Sequence, residues 1–290
     1  MSYVAGGGPA TVTVPSIRSR KRRDGATPIV MVTAYDEPGA RIVSDAGVDI
    51  ILVGDSVANT VLGYEDTLHV DIDVMAHHTA AVARARPHSL ILGDMPWMSY
   101  HLSPEDAVRN AATLVRAGAQ AVKLEGGRAR LPVVEAIIRA EIPVMGHLGL
   151  TPQSVLAMGG FRVQGKSVDA ATALLDAAKA LAAAGCFGFV IEGVPDVVGA
   201  AATEALDVPT IGIGAGPACD GQVLVFHDLL GLGDPGRPVA KFVRQYASLG
   251  QLATEAVASF ADDVRSGAFP GEAETYHGSA ELGDALTPDA

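Results

Sequence analysis

An alternation of short apolar runs with alanine-rich segments of helical period limits the possible folds of this chain more than any other feature. The runs are Ile29 to Asp36, Asp49 to Ser56, Ser89 to Pro96, Ala121 to Gly127, Ile142 to Gly149, Gly188 to Val194, Pro209 to Gly216 and Gln222 to Asp228. Near-continuous apolar runs imply burial on both faces, and strands that alternate with helices pair in parallel. Eight such units predict a closed (β/α)8 TIM barrel, for which 290 residues are sufficient. The helical half has its own signals: Ser103 before Pro104, Glu105 and Asp106 is a cap and first turn, and Val168 to Ala184 is a helix stopped by Gly185. One connection resists the pattern. Pro217 to Gly221 is too short for a crossover helix, so either the seventh unit lacks one or the last strand starts later.

Charge and composition narrow the partners. Acidic residues number 33 and basic residues 21, a balance that repels a phosphate backbone and argues against nucleic acid. The basic run Arg18, Arg20, Lys21, Arg22 and Arg23, ahead of Asp24 and Gly25, reads as a solvated helix end. No apolar run reaches the ~18 residues that span a bilayer, which argues against a membrane protein. The N-terminus lacks the order of a secretory signal. Cys186 and Cys219 are the only cysteines, which fits a reducing, cytoplasmic setting and two inert buried thiols. Residues 1–15 and 272–290 carry no apolar period and are expected to be flexible tails on a single domain over 16–271.

In a barrel the C-terminal strand ends and the loops after them build the active site. Asp36, Asp55, Asp94, Glu125, His147 and Glu192 come from different runs, each after several apolar residues, so barrel closure is expected to gather them at one mouth. Acids gathered at low dielectric repel unless a cation or a proton separates them. Asp55, Asp94 and Glu125 offer only oxygen ligands, which favours Mg²⁺ over Zn²⁺. Lys123 precedes Glu125 by two residues and shares its face. Its ammonium either holds a substrate carboxylate or pairs with Glu125 for structure alone. Glu192, between an apolar run and a glycine, has the setting of a general base. The segment Gly212 to Gly216 lacks the spacing of a dinucleotide loop and reads as close packing at the rim.

Specific motifs join these residues: TAYD (Thr33 to Asp36), LVGDS (Leu52 to Ser56), DMP (Asp94 to Pro96), VKLEGG (Val122 to Gly127), GHLGLTPQS (Gly146 to Ser154), GGFRVQGK (Gly159 to Lys166), IGIGAG (Ile211 to Gly216) and DGQVLVFHDLLG (Asp220 to Gly231). In these segments, over about residues 16–271, the chain resembles the ketopantoate (3-methyl-2-oxobutanoate) hydroxymethyltransferase family. The resemblance implies a barrel of the phosphoenolpyruvate mutase/isocitrate lyase type, assembled as a homodecamer. It implies transfer of a one-carbon unit from 5,10-methylenetetrahydrofolate to 3-methyl-2-oxobutanoate, giving 2-dehydropantoate and tetrahydrofolate in pantothenate and coenzyme A biosynthesis. By motif position Asp55 and Asp94 would bind Mg²⁺, with Glu125 completing the shell partly through water. Ser56 and Lys123 would hold the oxo acid, Glu192 would take the C3 proton to give a Mg²⁺-stabilised enolate, and His147 would support the substrate or a carboxylate. Departures from the family pattern are His69, Gly193 and the acidic C-terminal tail. Two other readings compete. A metal-dependent carbon–carbon lyase of the same superfamily is disfavoured because no cysteine stands at a strand end. A non-catalytic barrel would have lost a carboxylate, and none is lost.

Overall fold

The computed structural model describes residues 10–22, 25–233, 236 and 239–286. Strands β1 (Ile29–Thr33), β2 (Ile50–Val53), β3 (Leu90–Asp94), β4 (Ala121–Glu125), β5 (Val144–Gly149), β6 (Gly188–Glu192), β7 (Thr210–Ile213) and β8 (Gly221–Leu224) close a barrel in sequence order, all parallel, with Met31 of β1 opposite Val223 of β8. The expected (β/α)8 barrel is therefore the observed one. Helix α1 (Val14–Arg18) precedes the barrel. Between successive strands lie α2 (Glu37–Asp45), α3 (Val57–Thr60), α4 (Ile72–Arg84), α5 (Pro104–Ala117), α6 (Leu131–Arg139), α7 (Val155–Met158), α8 (Val168–Ala183) and α9 (Asp196–Ala205). Helices α10 (Phe226–Leu230), α11 (Leu249–Ser266) and α12 (Ala280–Leu286) follow β8.

Strand residues alternate between two cores, as the two-residue period of a strand requires. In β2, Ile50 and Leu52 join the cluster inside the barrel, while Ile51 and Val53 join the layer between strands and helices. Ile17 of α1 is fully buried in the interior cluster, so this short helix packs onto the barrel's inner core. Ser103 caps α5 as its sequence predicts, its hydroxyl accepting from the Asp106 amide at 3.1 Å. No helix joins β7 to β8; the seventh unit simply lacks one, and β8 starts at Gly221. The end of the predicted eighth run, from Phe226 on, coils into α10 rather than extending the strand.

One expectation is corrected near the N-terminus. The basic run is a solvated helix end only at Arg18, the exposed last residue of α1; Lys21 is buried, with Nζ donating to Asp220 Oδ2 at 2.7 Å and to the Thr203 carbonyl at 2.8 Å. Arg20 is tied to Asp49 and to the Thr27 and Pro28 carbonyls. The reason is topological, because the pairing of β8 with β1 brings the buried Asp220 carboxylate beside the residues after α1. Arg23 and Asp24 lie outside the described residues. Within the C-terminal segment Ala280–Leu286 form α12, none of whose residues is buried. Among the described residues no helix is long and apolar enough to cross a membrane.

Removing one partner of a buried ion pair leaves the other charged and desolvated. Lys21→Met is therefore expected to cost about 3–5 kcal/mol, read as a lowered urea midpoint at unchanged slope. A loss under about 1 kcal/mol would show that Asp220 is satisfied by the Arg22 and Thr210 amides alone.

Candidate active site

The ends of β2 to β6 deliver an unbroken arc of charged groups. Asp55 lies just beyond β2, and its backbone N–H donates to Asp94 Oδ2 at 3.1 Å. Lys123 Nζ stands 2.9 Å from Asp94 Oδ1 and 3.6 Å from Glu125 Oε1. His147 continues the arc, with Nδ1 3.3 Å from Glu125 Oε1 and Nε2 3.2 Å from Glu192 Oε2. Parallel register sets this order, because Asp94 is level with Lys123 across β3 and β4, and Glu125 with His147 across β4 and β5. Asp55, Asp94, Lys123, Glu125 and His147 are all buried, and the Glu192 side chain is 15% exposed, so only its end of the arc opens to solvent.

Two glycines allow the arc to close at β6. Gly149 has φ +96°, and a Cβ there would stand 2.2 Å from the Glu192 carbonyl oxygen. With glycine in place, the Leu150 amide instead donates to that carbonyl at 2.8 Å and fixes the backbone of Glu192. Gly193 has φ +55°, with a Cβ position 2.9 Å from Leu150 Cβ, which accounts for the glycine there.

Carboxylates outnumber cations in this arc, and the titration of each group follows. Burial pushes the Asp55 carboxyl well above its ordinary range, with Asp94 and Glu125 adding to it. Burial also raises Asp94, against the opposing pull of Lys123. Burial disfavours charge on Glu125 too, but His147 and Lys123 outweigh it and hold Glu125 below its usual value. For Lys123, burial is outweighed by Asp94, Glu125 and Asp55, which hold the ammonium charged. Burial and the Lys123 charge push the His147 imidazole down, yet Glu125 and Glu192 hold it up at about 9. Lys123 Nζ also stands 3.1 Å from His147 Nδ1, and Asp55 is the carboxyl that lacks a positive partner at ion-pair distance.

Among the described residues no three acid, imidazole or thiol groups form a ready metal cage. A closed cage is not what Mg²⁺ requires, since it keeps several waters and takes one or two protein carboxylates. The donor set suits it: Asp55 and Asp94 are hard oxygen ligands held together by a backbone hydrogen bond, and Asp94 Oδ1 and Glu125 Oε1 face only the Lys123 ammonium and the His147 ring.

Not every expected residue joins the arc. Asp36 is exposed and caps α2, accepting from the Gly39 amide at 2.8 Å. A strand-end aspartate next to a helix start is held by the helix rather than the mouth. Ser56 is half-buried, its Oγ 2.8 Å from Tyr35 Oη, and it follows Asp55 at the same edge. Lys123 is nearer to Asp94 than to Glu125, so the anticipated structural pair is in fact a three-way contact. The two cysteines are free and buried, and burial pushes the Cys186 thiol up to about 12, which leaves no thiolate for lyase chemistry. His69 stacks on Tyr64 and stands 3.0 Å from Asp66, contacts that brace the 64–70 loop.

Two residues had no part in the sequence expectation. Gln153, buried in a turn after β5, donates from Nε2 to Asp55 Oδ2 at 2.9 Å and to the Met95 carbonyl at 3.0 Å, and from its backbone to Glu125 Oε2 at 3.0 Å. Tyr100 donates to Gln153 Oε1 at 2.5 Å while accepting from the Glu125 amide. Neither is ionised, so a search for charged strand ends passes over them. The only signal was Gln153's place within GHLGLTPQS.

Comparison with known proteins gives this geometry its context. The ketopantoate hydroxymethyltransferase family model matches residues 11–272. The chain is 55% identical over 265 residues to 3-methyl-2-oxobutanoate hydroxymethyltransferase 2 of Bradyrhizobium diazoefficiens, covering 91% of this chain and 89% of that one. It is 57% identical over 264 residues to 3-methyl-2-oxobutanoate hydroxymethyltransferase of a Methylobacterium species, covering 91% and 90%. Among solved structures it is similar to 2,3-dimethylmalate lyase, a phosphoenolpyruvate mutase/isocitrate lyase superfamily member, with TM-score 0.58, 16% identity and 94% of each chain covered. It is also similar to phosphonopyruvate hydrolase in complex with oxalate and Mg²⁺, with TM-score 0.58, 14% identity and 95% and 96% covered. The solved structures share the barrel fold, and the chain is an enzyme that belongs to the ketopantoate hydroxymethyltransferase family.

Proposed function

We propose that this enzyme transfers a hydroxymethyl group from 5,10-methylenetetrahydrofolate to 3-methyl-2-oxobutanoate, forming 2-dehydropantoate and tetrahydrofolate for pantothenate biosynthesis in the cytoplasm. One water balances the reaction: the methylene carbon leaves the folate, bonds to C3 of the oxo acid and ends as a hydroxymethyl group. The observation that carries this reading is the buried arc itself, an excess of carboxylates wrapped around Lys123 with Glu192 at its open end.

Asp55 and Asp94 would hold Mg²⁺, with Glu125 reaching it through water. When bound, this ion supplies a Lewis acid that polarises the oxo acid's carbonyl and spreads the charge left by proton loss. In support, the solved phosphonopyruvate hydrolase neighbour binds oxalate, a small dicarboxylate, together with Mg²⁺. Lys123 and Ser56 bind the oxo acid, the ammonium facing its carboxylate. Glu192, partly open to the mouth, takes the C3 proton, and the resulting carbanion attacks the methylene carbon. His147, with Nε2 3.2 Å from Glu192 Oε2, orients that carboxylate. Gln153 and Tyr100 act one step further out, holding Asp55 and Glu125 by hydrogen bonds that leave their remaining lone pairs free.

A homo-oligomeric assembly, a decamer by the family resemblance, is part of the same reading. Its support is α11, whose 18 residues include none that is buried and which presents Leu252, Phe260 and Val264 along one face to solvent.

Two experiments test this function. Glu192→Gln keeps shape and hydrogen bonding but no longer accepts a proton, so oxo-acid binding is expected to survive while exchange of the C3 proton into deuterated water slows roughly 10²–10⁴-fold. Exchange at the wild-type rate, followed by NMR without folate, would assign the base elsewhere, with His147 first in line. Gln153→Leu is expected to lower apparent Mg²⁺ affinity or turnover by roughly 10–100-fold with circular dichroism unchanged. An unaltered Mg²⁺ dependence in that variant would leave Gln153 a purely structural residue.

A further inference from the structure

A cavity of about 390 Å³ opens on the same rim as the arc, between the residues after β4, the end of β5, the 159–166 loop and α8. Its lining includes Gly127, Arg128, Leu148, Gly149, Gln164 and Gly165. Two contacts connect it to the site. Gly149 is level with Glu192 across β5 and β6, and the Gln164 amide donates to the carbonyl of Gly193, the residue after Glu192, at 2.8 Å. One end of the groove is therefore beside the proposed base.

The groove also carries unpaired positive charge. Arg128 lines it and is exposed, and the exposed Arg162 and Lys166 flank Gln164 and Gly165. Among the described residues none of these three side chains enters an ion pair, although acidic residues exceed basic ones by 12 over the chain. The walls suit a flat ring: Gly127 lies so close to Ala177 that an added Cβ would stand 3.2 Å from the alanine methyl, and apolar Leu148 lines the groove. The volume falls in the range of small-molecule sites.

We propose that this groove binds the p-aminobenzoyl-glutamate part of 5,10-methylenetetrahydrofolate, with Arg128, Arg162 and Lys166 receiving its glutamyl carboxylates and the methylene end reaching the mouth beside Glu192. The assignment rests on the function proposed above and adds which surface holds the second substrate. Planar guanidinium groups pair carboxylates in bidentate fashion, and several exposed cations in a row suit a donor that carries more than one glutamate. Each contact at an exposed rim is individually weak, so the effect grows with the number of carboxylates engaged.

The test is the double variant Arg128→Glu/Lys166→Glu, two exposed positions where charge reversal leaves the fold intact. Steady-state kinetics would be run with mono- and triglutamyl 5,10-methylenetetrahydrofolate, alongside folate-free exchange of the oxo acid's C3 proton. The KM for the monoglutamyl donor is expected to rise roughly tenfold, and that for the triglutamyl donor further, while the KM for the oxo acid and the exchange rate stay within about twofold. A donor KM that does not move, or that rises equally for both donors, would overturn the assignment of the groove to the glutamyl tail. A parallel rise in the oxo-acid KM would overturn it too, by placing these charges at the other substrate. Absence of exchange in the wild-type enzyme would instead overturn the underlying function, so the two failures are distinguishable.

Discussion

Lys123 is the ammonium on which the mouth of the barrel depends. It is buried on β4 within ion-pair distance of Asp94 and Glu125, and its charge also lowers the cost of ionising Asp55. Desolvating charges is costly unless the geometry repays it, so such a cluster requires a scaffold that holds each member in place. The barrel supplies this through register: neighbouring strands present Asp94 with Lys123, and Glu125 with His147, at the same level. Even so, Lys123 and His147 together do not balance the carboxylates around them. The remainder falls on Asp55, the group that burial and its neighbours push furthest toward its protonated form. In the proposed function a divalent cation beside Asp55 and Asp94 would remove that imbalance, and a bound 2-oxo acid would then bring a carboxylate back toward Lys123.

The architecture was legible because a parallel barrel writes itself into sequence twice, as apolar runs buried on both faces and as polar residues at their ends. Six such polar residues were expected to converge, and five of them do. Asp36 is the exception, since a strand end and a helix cap look alike in sequence and only the Gly39 amide decides between them. Lys21 was misread for a related reason. A run of basic residues resembles a solvated face, and its buried partner Asp220 is distant in sequence and reached only when the last strands return beside the first.

Gln153 and Tyr100 show a different limit. Their roles come from hydrogen bonds rather than charge, and those bonds exist only because a tight turn after β5 folds the amide back between Asp55 and Glu125. Gly193 is the converse case. What reads as a departure from pattern is required by a left-handed backbone and by the nearness of Leu150, so the irregularity maintains the position of Glu192 instead of weakening it. Helix α11 extends the same point to assembly, because an amphipathic period in sequence does not reveal that the apolar face is left uncovered in the single chain.

The central claim is that the buried excess of carboxylate over ammonium is completed by a divalent cation held by Asp55 and Asp94. The most direct measurement is the thermal unfolding midpoint as a function of Mg²⁺ concentration, in the wild-type chain and in Asp94→Asn. Ligand that binds only the folded state stabilises it by RT ln(1 + [L]/Kd), about 2.7 kcal/mol at a hundredfold excess over Kd. The account predicts a midpoint that climbs steadily with Mg²⁺ in the wild type and stays nearly flat in the variant. A wild-type midpoint indifferent to Mg²⁺, or the same climb in Asp94→Asn, would contradict it.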